Sequence, residues 1–227
     1  MSNVLDKLEE YDNLYNFVRC EISQYHFDKW KDDNNEHDMK YKTFRIMTNF
    51  EDLIENFQGT PGTDPDLTRP TTKKHYDLWN QIGYDSKSTF GRRQDLIKTK
   101  THFGTKLADI LGLDYPQIVM TEQCVGQNIP MHMDVNASAS DAGFGIEDTI
   151  ERGIRIILFV TDWEPGQVFM MGNRTLSQWR AGETLYWPVT KYPHGTYNGS
   201  HKICYRIRIS GLATKKFYQT IKNDITI

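Results

Sequence analysis

The chain has 227 residues, enough to bury a full core as one domain, and its 38% hydrophobic and 25% charged residues suit a soluble globular protein. A formal charge of only −3 argues against a broad basic surface for nucleic acid or for an anionic membrane. No run of eighteen apolar residues is present, and the start Met1-Ser2-Asn3-Val4-Leu5-Asp6 lacks the basic-then-apolar pattern of a signal peptide, so a cytoplasmic location is expected.

Cys20, Cys124 and Cys204 are odd in number and far apart, which suggests no disulfide framework. Asn136, Asn173 and Asn198 each open an Asn-x-Ser/Thr triplet, read as coincidence in the absence of a secretion signal.

In chain order, Leu5, Leu8, Tyr11, Leu14, Tyr15, Val18 and Ile22 recur at helical spacing, with acids near the start where the helix dipole favours them. The polar stretch Lys31 to Asn35 breaks that pattern, and Thr43 to Phe57 reads as a short strand followed by a helix. Gly59-Thr60-Pro61-Gly62-Thr63-Asp64-Pro65-Asp66 has the composition of a loop, and a short helix is expected within Tyr76 to Ile82. From Arg93 to Leu113 a helical face returns in Leu96, Ile97, Phe103, Leu107, Ile110 and Leu111, with Gly112 as its C-terminal stop.

After Pro116 the character changes to short strands. Ile118 to Val125 is one, and Gly126 starts a turn into a second that carries His132. Ser138 to Ile150 is small and acidic, a flexible loop by composition. Ile154 to Val160 is a strong strand, ended by Asp162-Trp163-Glu164-Pro165-Gly166. Val168 to Met171 and Thr175 to Trp179 are shorter strands split by Gly172-Asn173, and Thr184 to Trp187 precedes the His194 region. Asn198-Gly199 reads as a hairpin turn before the last strand. The expected fold is α+β in one domain, 1–227. Helix-rich residues 1–115 support a double-stranded β-helix (cupin or jelly-roll) barrel at 116–213, followed by a tail at 214–227.

The chemistry concentrates in the strand half. In Pro130-Met131-His132-Met133-Asp134, His132 and Asp134 are two apart and share a face if the chain is extended. His194, in Pro193-His194-Gly195-Thr196-Tyr197-Asn198, completes two imidazoles and one carboxylate, the facial ligand set of non-haem Fe(II) oxygenases. His26, His37, His75, His102 and His201 are read as structural or surface histidines. In the last strand Ile203, Tyr205, Ile207 and Ile209 alternate with Lys202, Cys204, Arg206, Arg208 and Ser210. Helices covering the apolar face would turn Arg206 and Arg208 into the barrel, where a guanidinium needs an anion. Arginine suits a carboxylate because its fork meets both oxygens. The alternative leaves that face in solvent, with the arginines serving solubility.

With these residues in view, Gln123 to Leu212 resembles the 2-oxoglutarate/Fe(II)-dependent dioxygenase superfamily, whose signature is His-x-Asp, a distant His, then a basic residue soon after. Gly126 to Asp134, Trp163-Glu164-Pro165-Gly166-Gln167, Trp179-Arg180-Ala181-Gly182-Glu183 and Pro193 to Asn198 are similar to small bacterial and phage members. The resemblance implies that His132, Asp134 and His194 bind Fe(II) and that a basic residue holds the distal carboxylate of 2-oxoglutarate. Activation of O2 would then release succinate and CO2. Because halogenating relatives lack the carboxylate, Asp134 implies a hydroxylase or demethylase.

One departure stands out. Many relatives place the basic residue about ten positions after the second His, where this chain has Cys204. Arg206 is favoured in its stead, Arg208 stands close behind, and Lys202 is weaker; Arg208-Ile209-Ser210 also resembles an Arg-x-Ser pair used by some relatives. Gln123 and Tyr186 offer further polar contacts, and Trp163, Trp179 and Trp187 border either the entrance or the core. The low net charge favours a small-molecule, amino-acid or protein side-chain substrate over nucleic acid, and no membrane partner is expected. Two other readings stand beside this one, a non-catalytic metal- or anion-binding cupin barrel and a different cupin metal enzyme. Cupin enzymes usually cluster more histidines in one motif and need no interior arginine pair.

Overall fold

The computed structural model describes residues 43–61, 91–132, 151–172, 174–189 and 192–227. The described elements are, in order, β1 (Ile46–Met47), α1 (Phe50–Glu55), β2 (Thr60–Pro61), β3 (Arg92–Asp95), α2 (His102–Leu111), β4 (Asp114–Gln123), β5 (Asn128–His132) and β6 (Gly153–Phe159). They continue with β7 (Gln167–Met171), β8 (Arg174–Leu176), β9 (Thr184–Pro188), β10 (His194–Asn198), β11 (Cys204–Leu212), α3 (Lys215–Thr220) and β12 (Ile225–Thr226). These residues are mostly strand, with few helices. The helices expected at 4–22 and within Tyr76 to Ile82, and the acidic loop at 138–150, lie outside the described residues.

The strand-then-helix pattern read at Thr43 to Phe57 is present as β1 and α1. The expected long helix from Arg93 is not. Arg92–Asp95 pairs with β4, Arg93 opposite Thr121, and the Asp95 carboxylate accepts from the Ile97 (3.1 Å) and Lys98 (2.9 Å) amides. That local turn competes with helix formation and holds the chain out of it until Thr101 caps α2 through the Gly104 amide (3.1 Å). Phe103, Leu107 and Leu111, four apart, form the buried stripe of α2. Gly112 closes it at φ 61°, a conformation that suits glycine. Thr60-Pro61, read as loop, pairs briefly with β3.

Two antiparallel sheets form the body. The larger has the order β2-β3-β4-β11-β6-β9 and the smaller β5-β10-β7-β8. From β4 to β11 every connection but β7 to β8 switches sheets. The Asn198-Gly199 hairpin expected from the sequence is therefore corrected: β10 and β11 belong to different sheets. Asn198 is buried and works as a crossover bracket. Its amide donates to the Gln123 and Lys202 carbonyls (2.9 Å each), and its oxygen accepts from the Ser200 amide (3.2 Å) and hydroxyl (2.7 Å).

The alternation of β11 separates two cores. Ile207 and Ile209 join Leu107, Leu111 and Phe217 on the face that the helices cover. Cys204 joins Phe169 and Met171 of the smaller sheet and Trp187 of the larger, placing the other face of β11 between the sheets. After β11 the chain caps α3 with Thr214, buries Phe217 and pairs β12 in parallel with β1.

Candidate functional site between the sheets

Arg206 follows Cys204 on the inter-sheet face and is only 5% exposed. Its Nε lies 3.3 Å from the Cys204 sulfur, and a terminal nitrogen donates to Gln123 Oε1. Gln123 Nε2 in turn donates to Thr196 Oγ1 of β10 (3.0 Å) and to the Gln127 carbonyl (3.0 Å). A polar bridge thus runs from β11 through β4 to the opposite sheet, and every protein partner of the Arg206 guanidinium in it is neutral. Moving a guanidinium out of water costs several kcal/mol that neutral partners recover only in part. An anion is the partner that would offset that cost.

Arg208, half-buried on the same strand face, donates to Gln117 Oε1 (3.2 Å). Lys202 does not face this interior; its side chain is 69% exposed and its ammonium pairs with Glu164. Tyr186 also faces away, packed with Phe44 and Phe217 under the helices. Trp179 and Trp187 belong to the inter-sheet core and Trp163 packs against it.

His194 opens β10 and is 6% exposed. Its ring lies 5.0 Å from Trp187 at a steep angle and 6.3 Å from Phe169 nearly parallel. Nδ1 is 3.3 Å from the Tyr192 carbonyl, and a proton there places the lone pair on Nε2, the usual way a ligating imidazole is oriented. The register pairs His194 with His132 across β10 and β5, and a bulge follows between His194 and Thr196. Bulges of this kind re-aim side chains beside active sites. Asp134 lies outside the described residues, and among the described residues no group of three His, Cys, Asp or Glu forms. His102 and His201 are exposed, while His26, His37 and His75 lie outside the described residues.

One interior cation was missed in the sequence. Arg155, 3% exposed, lies opposite Ser210 on β11 and Trp187 on β9, and a terminal nitrogen donates to Ser210 Oγ. Its signal was a single charge inside the apolar run Gly153–Phe159. The Arg93 position lies in the same cross-strand row as Thr121 and Arg206, and burial pulls its guanidinium below the ordinary arginine value.

On the opposite face of the larger sheet Glu122, back to back with Gln123, is held by Arg92 (Nε to Oε1 2.9 Å), the Tyr205 hydroxyl (2.9 Å) and the Cys124 thiol (3.6 Å). The Arg92 hydrogen bond holds the Glu122 carboxyl below its usual value, and Tyr205 adds to this. Burial, then Glu122 (chiefly by its charge for Cys124 and by its hydrogen bond for Tyr205), push the Cys124 thiol and the Tyr205 phenol up. Phe57 stacks over Arg92 (5.3 Å) and meets Tyr205 edge-on.

Fold and site together define a mostly β protein whose two sheets enclose buried arginine and histidine side chains. No family model matches the chain, and no curated protein does. Among solved structures it is similar to a Pseudomonas putida prolyl-4-hydroxylase, at 14% identity and a TM-score of 0.38, over 73% of this chain and 97% of that one. It is also similar to a predicted oxalate decarboxylase of Thermotoga maritima, at 10% identity and TM-score 0.34, over 53% of this chain and 79% of that one. A third is the Cupin_2 domain of an XRE family transcriptional regulator from Enterobacter cloacae, at 7% identity and TM-score 0.32, over 44% and 84% of the two chains. Among the described residues no helix is long and apolar enough to cross a membrane.

Proposed function

We propose that this chain is a jelly-roll, 2-oxoglutarate- and O2-dependent Fe(II) dioxygenase that hydroxylates an amino acid or a protein side chain. The observation that carries the reading is Arg206, a buried guanidinium held between the sheets by neutral partners, on a polar bridge that ends two residues from His194. Counting β4 to β11 as strands one to eight, the orders 1-8-3-6 and 2-7-4-5 support the double-sheet jelly roll.

Of the described side chains, His194 suits a metal and Arg206 a carboxylate co-substrate. The His194 imidazole is buried, oriented through Nδ1 and paired in register with His132, and Asp134 follows by two in sequence. His132, Asp134 and His194 would hold Fe(II), leaving positions open as the two-His-one-carboxylate set does. With 2-oxoglutarate and O2 bound, that metal supplies oxidising chemistry that releases succinate and CO2 and hydroxylates the substrate. Arg206 would bind the distal carboxylate, with Gln123 fixing its fork and Thr196 fixing Gln123. The packed rings of Phe169 and Trp187 keep water from His194.

The test is an anaerobic titration of the Fe(II)-loaded protein with 2-oxoglutarate, following the weak visible charge-transfer band of a metal-bound 2-oxo acid. A band in the wild type, followed by succinate release on admitting O2, supports the reading. Iron-loaded protein with no band would leave a metal-binding barrel without this chemistry.

A further inference from the structure

The described tryptophans differ in what their indole N–H groups meet. Trp163 donates to the Gln167 carbonyl (2.8 Å), whereas the Trp179 and Trp187 Nε1 atoms are buried without an acceptor. Trp179 borders a cavity of about 420 Å³ together with Arg45, Glu183 and Asp224. Trp187 is 0% exposed and is not part of that cavity's wall. Its neighbours Phe169, Met171 and Cys204 offer no strong acceptor, and its ring stands 5.0 Å from His194. An indole N–H only donates, so an acceptor received between the sheets would satisfy it.

The surroundings select the charge of that acceptor. Arg155 is the cross-strand partner of Trp187, and Ser210 is the partner of Arg155. Within this row Trp187 stands beside His194, while Arg206 is bridged through Gln123 to Thr196. Ser210 and Arg206 are four residues apart on β11, roughly 13 Å along an extended strand. The interior therefore carries two separate donor clusters. Resting on the function proposed above, we infer that the Trp187 indole N–H, backed by Arg155, donates to the metal-proximal carboxylate of the 2-oxo acid, the end opposite the one Arg206 holds. A phenyl ring would keep the aromatic packing in part and leave that carboxylate without this donor.

Trp187→Phe in the full chain removes the N–H and keeps an aromatic ring, and Trp179→Phe is the matched control. Mn(II)-loaded proteins are titrated with 2-oxoglutarate by calorimetry, and the charge-transfer band is recorded on the Fe(II) forms. Trp187→Phe is expected to raise the 2-oxoglutarate Kd about tenfold, as loss of a hydrogen bond to a charged group does, and to move the band. Trp179→Phe should change neither. A second readout needs no variant. In the indole ¹H–¹⁵N spectrum of the Zn(II)-loaded wild type, 2-oxoglutarate should move the Trp187 signal downfield and leave Trp179 in place. Unchanged affinity in Trp187→Phe, or an unmoved Trp187 signal, in protein that does bind 2-oxoglutarate overturns this inference alone. A wild type that binds none removes the proposed function and this inference with it.

Discussion

His132 and His194 face each other across the antiparallel ladder of β5 and β10 as register partners, at the point where the ladder is about to bulge. Directly opposed positions have Cβ atoms within about 5.5 Å. Residues far apart in sequence are thereby brought to neighbouring positions on one sheet. Thr196, past the bulge, carries the polar bridge to Gln123 and Arg206. One short ladder therefore joins the candidate metal end of the interior to its candidate anion end.

Arg206 is the residue on which co-substrate binding should depend most. Arg206→Met is expected to weaken 2-oxoglutarate binding by about a hundredfold or more, the loss of a bidentate, charge-assisted contact. Arg208→Met, at a half-buried position already bonded to Gln117, should cost less than about tenfold. The anaerobic Fe(II) titration separates them, and a reversed order would move the anchor to Arg208. Because Arg206→Met also removes a buried charge, the metal-free variant should melt at or above the wild-type temperature.

Ligand and metal should stabilise the fold together. In the presence of Mn(II), 2-oxoglutarate at a hundred times its Kd adds about 2.7 kcal/mol, a shift of roughly 5–10 °C for a chain of this size. Without Mn(II), or in His194→Ala, the shift should shrink to a small fraction of that. Differential scanning fluorimetry reads both, and an equal shift without metal would rule out chelation.

Glu122 makes the fold acid-sensitive. Its carboxyl titrates below the usual value because Arg92 and Tyr205 hold the ionised form. The stability it contributes is therefore fully present above the unfolded-state value near 4 and is lost as pH falls through the lower folded value. The Tm gap between wild type and Glu122→Gln should be widest near neutrality and close on acidification. A gap that stays constant down to acid unfolding would show that the charge is not what stabilises.

Asn198→Ala removes four hydrogen bonds at a fully buried crossover and leaves the Gln123 and Lys202 carbonyls without that donor. A loss of about 2–4 kcal/mol is expected in urea denaturation. The burial of Asn198 also closes its Asn-x-Ser triplet to glycosylation in the folded protein. A loss under about 0.5 kcal/mol would mean that the crossover is held by other contacts.

Much of this was legible locally. Period-two alternation in β11 named Arg206 as an inward cation, because side chains of a strand point alternately to its two faces and the helices take the apolar one. Gly112 ended α2 as read, since few other residues accept its positive φ. The helix expected from Arg93 failed because Leu96 and Ile97 mimic helical spacing while Asp95 spends its side chain on a turn.

The sequence by itself determined the strand-rich half, the His132, Asp134 and His194 candidates, and a basic inward face on the last strand, all consequences of neighbours along the chain. The tertiary structure decided which sheet each strand joins, and so turned Asn198-Gly199 from a hairpin into a crossover. It also chose Arg206 over Lys202 as the buried cation and set Trp187, the cross-strand partner of Arg155, beside His194. Those outcomes depend on pairing between residues tens of positions apart, where register and burial, rather than local propensity, fix what a side chain meets.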